Sequence, residues 1–275
     1  MTSADTIPDP RLAESLLAFW AEAGVDAMLE DAAVDRIAAG KVAPLRVAAK
    51  AAPAPAPARN AGPAAPDVSE QVAQARALAT AAQDLEALAA AIAAFEGCPL
   101  RFAGAAHKSV FSRGTPSAPL IVIGEGPGAE EDLQGLPFVG RAGQLLDRML
   151  AAAGLADRVF ITNTVFWRPP GNRTPTAAEQ MVCAPFVERA IELISPKFLL
   201  LVGGASAKAM LKREEGILSL RGRWFEWRSA DGRLEIPALP TLHPAFLLRQ
   251  PAAKKRAWSD LLTLAERVDR PERPA

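Results

Sequence analysis

The distribution of apolar residues along the second half of the chain predicts alternating strands and helices. Unbroken apolar runs, typical of strands buried on both faces, occur at residues 119–125, 158–163 and 197–204. Between them, residues 141–153 and 176–194 space their apolar side chains at helical intervals. Strands and helices that alternate in this way predict an α/β fold with a mainly parallel sheet covered by helices on both faces.

Further elements are predicted on either side of this pattern. An Ala-rich helix is predicted from about Val68 to Phe95. After the third strand, the sequence predicts a short helix at 205–211, a hairpin-like segment at 222–240 and a last helix at 251–268. We therefore expect one large domain at 68–270 and a short tail at 271–275.

The first 67 residues differ in composition from this domain. Residues 10–37 are net acidic and space their apolar side chains as two short helices, so 1–37 is interpreted as a helical N-terminal extension. Residues 38–67 are rich in alanine and proline, which is typical of a semi-extended linker.

Composition limits the class of protein. Half of the 275 residues are apolar, enough to build a substantial core, but no apolar run approaches the ~20 residues that span a bilayer. The first residues lack the basic and apolar regions of a signal peptide, so we expect a cytoplasmic protein with no membrane partner. In that compartment, the cysteines Cys98 and Cys183 are not expected to form a structural disulfide. The zero formal net charge argues neither for nor against nucleic acid.

The first strand runs into the loop "GEGPG", residues 124–128. The glycine spacing does not match a dinucleotide fingerprint, and the carboxylate of Glu125 would repel a pyrophosphate. Pro127 removes an amide donor, and the Lys-Ser/Thr pair of a P-loop is absent. The glycines, Gly124 and Gly126, let the backbone approach a ligand closely. The acid of this loop suits activation of water or stabilisation of a cation.

Four segments at predicted strand ends or loops carry a family resemblance. In order, they are "GEGPGAEED", "GLPFVGRAGQLLDRML", "ITNTVFWRPPGNR" and "TLHPAFLLR". Together they resemble the family 4 uracil-DNA glycosylases over roughly Phe95 to Arg267. The resemblance implies a three-layer α/β/α domain with a central, mainly parallel four-stranded sheet. It also implies an enzyme that flips uracil out of DNA and hydrolyses its N-glycosidic bond, leaving an abasic site. We expect the partner to be single- or double-stranded DNA containing uracil, and the protein to be a monomer.

Three residues are candidates for the chemistry. The amide of Asn163 can accept from uracil N3–H and donate to O4, whereas cytosine presents the reverse pattern; the alternative is a turn-capping asparagine. His243 is similar to the family histidine that donates to uracil O2, where negative charge collects as the bond breaks. Glu125 could orient water and offset the positive charge that grows on the sugar. His107, in a loop beside Lys108, is interpreted as a surface residue.

Two further residues are candidates for binding the base. The chain has no tyrosine, so Phe138 is the candidate stacking platform, with an ordinary core phenylalanine as the alternative. By resemblance, Glu131 would line the pocket near uracil C5, where bulk could exclude the methyl group of thymine.

The segment "AFLLR" is the candidate DNA contact. We interpret Leu247 and Leu248 as apolar wedges in an exposed loop, and Arg249 and Lys254 as phosphate contacts. Alternatively, the leucines begin the packing of the last helix and the basic residues form a solvated helix face.

The cysteines depart from the family pattern. Most members carry a four-iron, four-sulfur cluster on four cysteines, but this chain keeps Cys98 and Cys183 and has Phe95 and Trp167 at the other two positions. Two thiolates do not satisfy a four-cysteine site, so we expect no cluster and no other cofactor. We expect the two aromatic rings to fill the vacated volume. In the family the cluster helps to hold the loop at 168–175, so its loss puts the position of that loop in doubt.

Other functions remain open at this point. A glycosylase with broader specificity for deaminated or modified bases would keep the same residues. A non-catalytic protein that binds lesions or abasic sites is the alternative outside enzymes. A nucleotide-dependent oxidoreductase is disfavoured by the spacing of the glycine loop.

Overall fold

A computed structural model describes residues 68–270. The helices are α1 (Val68–Ala81), α2 (Leu85–Ala94), α3 (Ala129–Gln134), α4 (Arg141–Ala152), α5 (Ala177–Ile194), α6 (Gly204–Leu211), α7 (Ile217–Leu220), α8 (Pro244–Arg249) and α9 (Lys254–Asp269). The strands are β1 (Arg113–Gly114), β2 (Leu120–Gly124), β3 (Val159–Asn163), β4 (Phe198–Val202), β5 (Phe225–Arg228) and β6 (Glu235–Thr241). The predicted N-terminal extension, linker and tail lie outside the described residues. Within the described range, no helix has the length and apolar character needed to cross a membrane.

The strands form one sheet in the order β1-β3-β2-β4-β6-β5. The four central strands run parallel, and the edge strands β1 and β5 pair antiparallel with β3 and β6. The α/β class and the mainly parallel sheet are therefore confirmed. The sheet has six strands because the predicted hairpin adds β5 to one edge and the two-residue β1 pairs at the other.

Alternate residues of the strands face two separate cores, which produces three layers. In β2, Ile121 and Ile123 belong to the core that packs on α1, α2 and α5. Leu120 and Val122 belong to the core that packs on α4 and α9. All of β2 is buried, as expected for a strand covered on both sides.

Three segments differ from their predicted form. The single helix predicted over 68–95 is two helices, because Asp84 accepts a hydrogen bond from Ala87 N–H (2.7 Å) and begins α2. The last helix begins at Lys254, after a 3₁₀ turn at Pro251–Ala253. The segment predicted as an exposed loop after His243 is helix α8, with Pro244 in its first turn.

Candidate active site

The carboxyl ends of the parallel strands bring the candidate residues together. Gly124 at the end of β2 pairs in register with Asn163 at the end of β3. Gly203 N–H, just after β4, donates to Thr241 O at the end of β6 (2.9 Å), and His243 follows two residues later. A cleft of about 510 Å³ opens above this edge. The predicted site residues that line it are Glu125, Gly126, Glu131, Phe138, His243 and Arg249.

Glu125 projects into the cleft from the β2–α3 loop. Its backbone carbonyl accepts a hydrogen bond from the Thr164 hydroxyl (2.7 Å), and Thr164 N–H donates to Gly124 O (3.0 Å). The loop that carries the carboxylate is thereby fastened to the residue after Asn163. The partly exposed side chain can meet solvent and ligand in the cleft.

Asn163 lies beside the cleft and is almost completely buried. Its Oδ1 atom has no hydrogen-bond partner within residues 68–270. A Cβ on Gly124 would overlap both this oxygen and the ring of Phe138, so glycine is required for the approach. A buried carbonyl oxygen without a donor is costly, which indicates an acceptor reserved for a ligand.

His243 begins helix α8 and lines the cleft. Its Nδ1 accepts a hydrogen bond from Ala245 N–H (3.2 Å), so the neutral ring carries its proton on Nε2. Burial, and secondly the positive charge of Arg249, lower the pKa of His243 to about 4. At neutral pH the imidazole is therefore an uncharged donor.

Phe138 is buried next to these groups. Its ring centroid lies 5.8 Å from that of His243, with the planes inclined by 31°. Its backbone adopts a φ of +56°, an uncommon conformation for a residue other than glycine. The ring lines the cleft with the imidazole and lies close to Gly124, as the Asn163 amide oxygen does.

Glu131 connects the two loops around the cleft. One carboxylate oxygen accepts from Val139 N–H (3.0 Å) and Gly140 N–H (2.8 Å), and the other accepts from Gly128 N–H (3.1 Å). Its oxygens thus hold the backbone on both sides of α3. This structural contact was not predicted from the sequence, and the expected role beside uracil C5 stays a prediction.

The loop at 168–175 also lines the cleft, and its lining residues were not predicted from the sequence. Arg173 lines the cleft and donates to both carboxylate oxygens of Glu179 (2.6 and 2.9 Å). Glu179 also accepts from Thr176 N–H (2.8 Å), which completes the N-terminal cap of α5. The hydrogen bonds from Arg173 lower the pKa of the Glu179 carboxyl. The position of this loop was in doubt without a cluster, and the ion pair between Arg173 and Glu179 holds it in place. That the loop follows the carboxyl end of β3 could have marked it in the sequence as part of the site.

The cysteine region lies in the core behind this loop. The Cys98 and Cys183 sulfurs are 3.8 Å apart, and both residues are buried. Phe95 and Trp167 are buried in the same core, where Phe95 packs edge-on against Phe186 with centroids 5.2 Å apart. The hydrogen bond to Cys98 and burial raise the pKa of the Cys183 thiol. Of the four family positions, two carry thiols and two carry aromatic rings that offer no thiolate.

The structure corrects the interpretation of the DNA wedge. Leu247 is fully buried with Leu145, Leu242 and Ala257, because helix α8 turns it away from the cleft. The predicted exposure of Leu247 is therefore wrong. Leu248 is partly exposed, and Arg249 and Lys254 are exposed, so their predicted contacts with DNA stay predictions.

His107 is exposed, as predicted, and it also anchors a loop. Its imidazole Nδ1 pairs with the buried carboxylate of Asp132, and its backbone N–H donates to the same group (2.8 Å). These contacts fasten the loop before β1 to α3. His107 does not line the cleft, so of the two histidines His243 is the one placed for chemistry.

Comparison with known proteins finds one family model and several relatives that resemble this chain. A family model described as the uracil DNA glycosylase superfamily matches residues 111–262. The type-4 uracil-DNA glycosylase of Sulfurisphaera tokodaii is 37% identical over 171 residues, which cover 60% of this chain and 77% of that protein. The type-4 uracil-DNA glycosylase of Pyrobaculum aerophilum is 37% identical over 187 residues, covering 65% and 91%. That of Thermotoga maritima is 38% identical over 142 residues, covering 51% and 71%.

Proposed function

The chain belongs to the uracil DNA glycosylase superfamily, and we propose that its cleft performs the reaction for which these relatives are named. The protein is a DNA repair glycosylase that removes uracil from DNA by hydrolysis and leaves an abasic site. The observation that carries the residue assignments is the convergence of Glu125, Phe138 and His243 on one cleft, with the unpartnered Asn163 oxygen beside it.

Asn163 is proposed to recognise the base. Its free Oδ1 would accept the N3–H of uracil, and its Nδ2 would donate to O4. Cytosine would place an acceptor against the amide oxygen and a donor against the amide nitrogen. Because a buried polar group left unpaired is expensive, this mismatch discriminates strongly against cytosine.

His243 is proposed to stabilise the departing base. The neutral ring would donate from Nε2 to uracil O2, which becomes more negative as the bond breaks. Because Nδ1 is occupied by Ala245 N–H, the donating nitrogen is fixed without a second side chain. A neutral donor stabilises the developing anion and keeps its own proton.

Glu125 is proposed to act on the sugar side. The bond between C1′ and N1 breaks with its electron pair passing to the uracil ring, and the positive charge on the deoxyribose is offset by the carboxylate. A water oxygen oriented by Glu125 then forms the new bond to C1′. The water proton leaves through the carboxylate, and the products are the abasic hydroxyl sugar and uracil, which recovers a proton.

The DNA contacts are proposed to lie around the mouth of the cleft. Arg249 lines the cleft and Lys254 begins α9, so both can reach phosphates on either side of an everted nucleotide. Leu248 is the partly exposed leucine that can support the gap. We further propose that the substrate is single- or double-stranded DNA and that the protein acts as a monomer in the cytoplasm.

We propose that the enzyme works without an iron–sulfur cluster. Two thiols and two aromatic rings cannot supply four thiolate ligands. Packing of Phe95 and Trp167 and the Arg173–Glu179 pair hold the region instead. Absorption in the visible range in anaerobically purified protein, together with stoichiometric iron, would refute this proposal.

The central experiment measures uracil released from a uracil-containing oligonucleotide under single-turnover conditions. We expect release by the wild-type chain and a loss of about 10²- to 10³-fold in His243→Ala, since one donor to the leaving group is removed. His107→Gln is the matched control, because the other histidine does not line the cleft and a glutamine amide can still donate to the buried carboxylate of Asp132. Equal rates in His243→Ala and wild type would remove the imidazole from the mechanism.

A second measurement decides the substrate range. The same duplex is prepared with uracil, hypoxanthine, xanthine or an ethenoadduct at one position. Release confined to uracil supports the recognition by Asn163, and comparable release of several bases indicates a broader glycosylase. Binding of each lesion without any release would indicate a lesion-binding protein.

A further inference from the structure

The backbone at Phe138 is in an unfavourable conformation that needs support. A φ of +56° places this residue in the left-handed region, where residues other than glycine are uncommon. Such residues persist where the surroundings over-determine them, and they cluster at ligand sites. Phe138 lies on the cleft wall beside Asn163 and His243.

Arg113 supplies contacts that hold this turn from one side. This residue of edge strand β1 donates from Nε to Pro137 O (2.7 Å) and from Nη2 to Phe138 O (3.1 Å). The same Nη2 contacts the carboxylate of Asp147 on α4 (2.6 Å). The planar guanidinium thus bonds two successive carbonyls and is itself oriented by an acid.

Helix α4 closes the turn from the other side. A Cβ at Gly143 would overlap the carbonyl group of Phe138, so the turn lies directly on the helix backbone. The Phe138 carbonyl is therefore enclosed between the Gly143 backbone and the Arg113 side chain. Without the arginine, the turn keeps its steric wall but loses the donors that fix its left-handed conformation.

We infer that Arg113 is a positioning residue that holds Phe138 as the platform on which the everted base stacks. This inference rests on the proposed function and deepens it. Arg113 does not line the cleft and touches no base; it acts through the aromatic ring. It also assigns a function to β1, which pairs Arg113 with Ile161 of β3 and so anchors the arginine to the sheet.

The test compares Arg113→Ala and Arg113→Lys with the wild-type chain. Lysine keeps a positive charge opposite Asp147 but cannot bond two carbonyls as a planar fork. Arg158→Ala is the matched control, because Arg158 also pairs with an acid, Asp269 (2.5 Å), and donates to a carbonyl away from the cleft. For each chain, the dissociation constant of free uracil, the single-turnover excision rate and the midpoint of thermal unfolding are measured.

We expect both Arg113 variants to bind free uracil about tenfold more weakly, since base–aromatic stacking is weakened. They should also excise uracil from DNA correspondingly more slowly. Arg158→Ala should keep the wild-type uracil affinity, whatever its unfolding midpoint. Wild-type affinity in both Arg113 variants, or an equal loss in Arg158→Ala, would overturn the inference. If Arg113→Ala does not fold, the lysine variant decides. If the wild-type chain releases no uracil from DNA, the proposed function fails, while the affinities for free uracil still decide the role of Arg113.

Discussion

The depressed pKa of His243 predicts how the stability of the protein depends on pH. In the folded chain the ring takes up a proton only near pH 4, whereas in the unfolded chain it does so near its ordinary pKa of 6.5. The unfolded state therefore binds more protons between these values, and stability is lost as the pH falls through this window. Between pH 6.5 and pH 4.5, this one group accounts for a loss of about 2 kcal/mol in the free energy of unfolding.

Urea unfolding of the wild-type chain and of His243→Gln isolates this contribution. Glutamine does not titrate, so acidification from pH 6.5 to pH 4.5 should cost the variant about 2 kcal/mol less than the wild type. The carboxyl groups of Asp132 and Glu179, with lowered pKa values, and of Asp260 and Glu188, with raised values, are common to both chains and cancel in the difference.

Equal acid sensitivity in the two chains would refute the reasoning, because His243 would then titrate alike in the folded and unfolded states.

The lowered pKa of His243 also predicts the pH dependence of catalysis. The imidazole should add no step to the pH–rate profile of single-turnover excision above about pH 5, since it stays neutral there. A step centred near pH 6.5 that disappears in His243→Gln would contradict the assignment of a neutral donor.

Three further predictions concern residues around the site. Glu131→Ala should slow single-turnover excision about tenfold, and Glu131→Gln less, because a glutamine oxygen can still accept from the backbone on one side; equal rates in both variants would contradict this. Asp260→Ala should lower the free energy of urea unfolding by about 3 kcal/mol, because the Arg221 guanidinium loses its carboxylate partner and keeps only the Arg256 carbonyl, and the buried Thr241 hydroxyl loses its acceptor; a change below about 1 kcal/mol would indicate a solvent-screened pair. Leu247→Ala should destabilise the fold by about 3 kcal/mol, whereas Leu248→Ala should mainly weaken binding to abasic DNA, and the reverse result in unfolding and binding assays would restore Leu247 as the wedge.

The parallel strands could be predicted from the sequence because each is buried on both faces. A run such as "LIVIG" has no polar position, so its strand character and its place in the sheet interior follow together. The ends of such runs meet at one edge of a parallel sheet, which is why Asn163 and the acid of the glycine loop could be placed near each other. Here long-range proximity follows from a local pattern.

Other features depend on geometry that no local pattern carries. Strand β1 has two residues, too few for any periodicity. The orientation of Leu247 depends on the phase of a six-residue helix, so neighbouring leucines with the same composition have different surroundings. The contact between His107 and Asp132 joins positions 25 residues apart, and that of Arg113 with Phe138 joins strand β1 to the turn before α4, whose separation only the folded sheet determines.

Because Gly124 and Asn163 pair in register, the position of Asn163 in the site depends on the number of residues in β2 and β3. A single residue added or deleted within β3 would shift Asn163 by one position along the strand, which removes it from its place opposite Gly124 and turns the amide towards a helical layer. Point substitutions elsewhere in the strand do not change the pairing register. For redesign of the pocket, the turns that precede β2 and β3 can therefore be lengthened or shortened, while the residue count of both strands and of the loop that carries Glu125 has to be preserved.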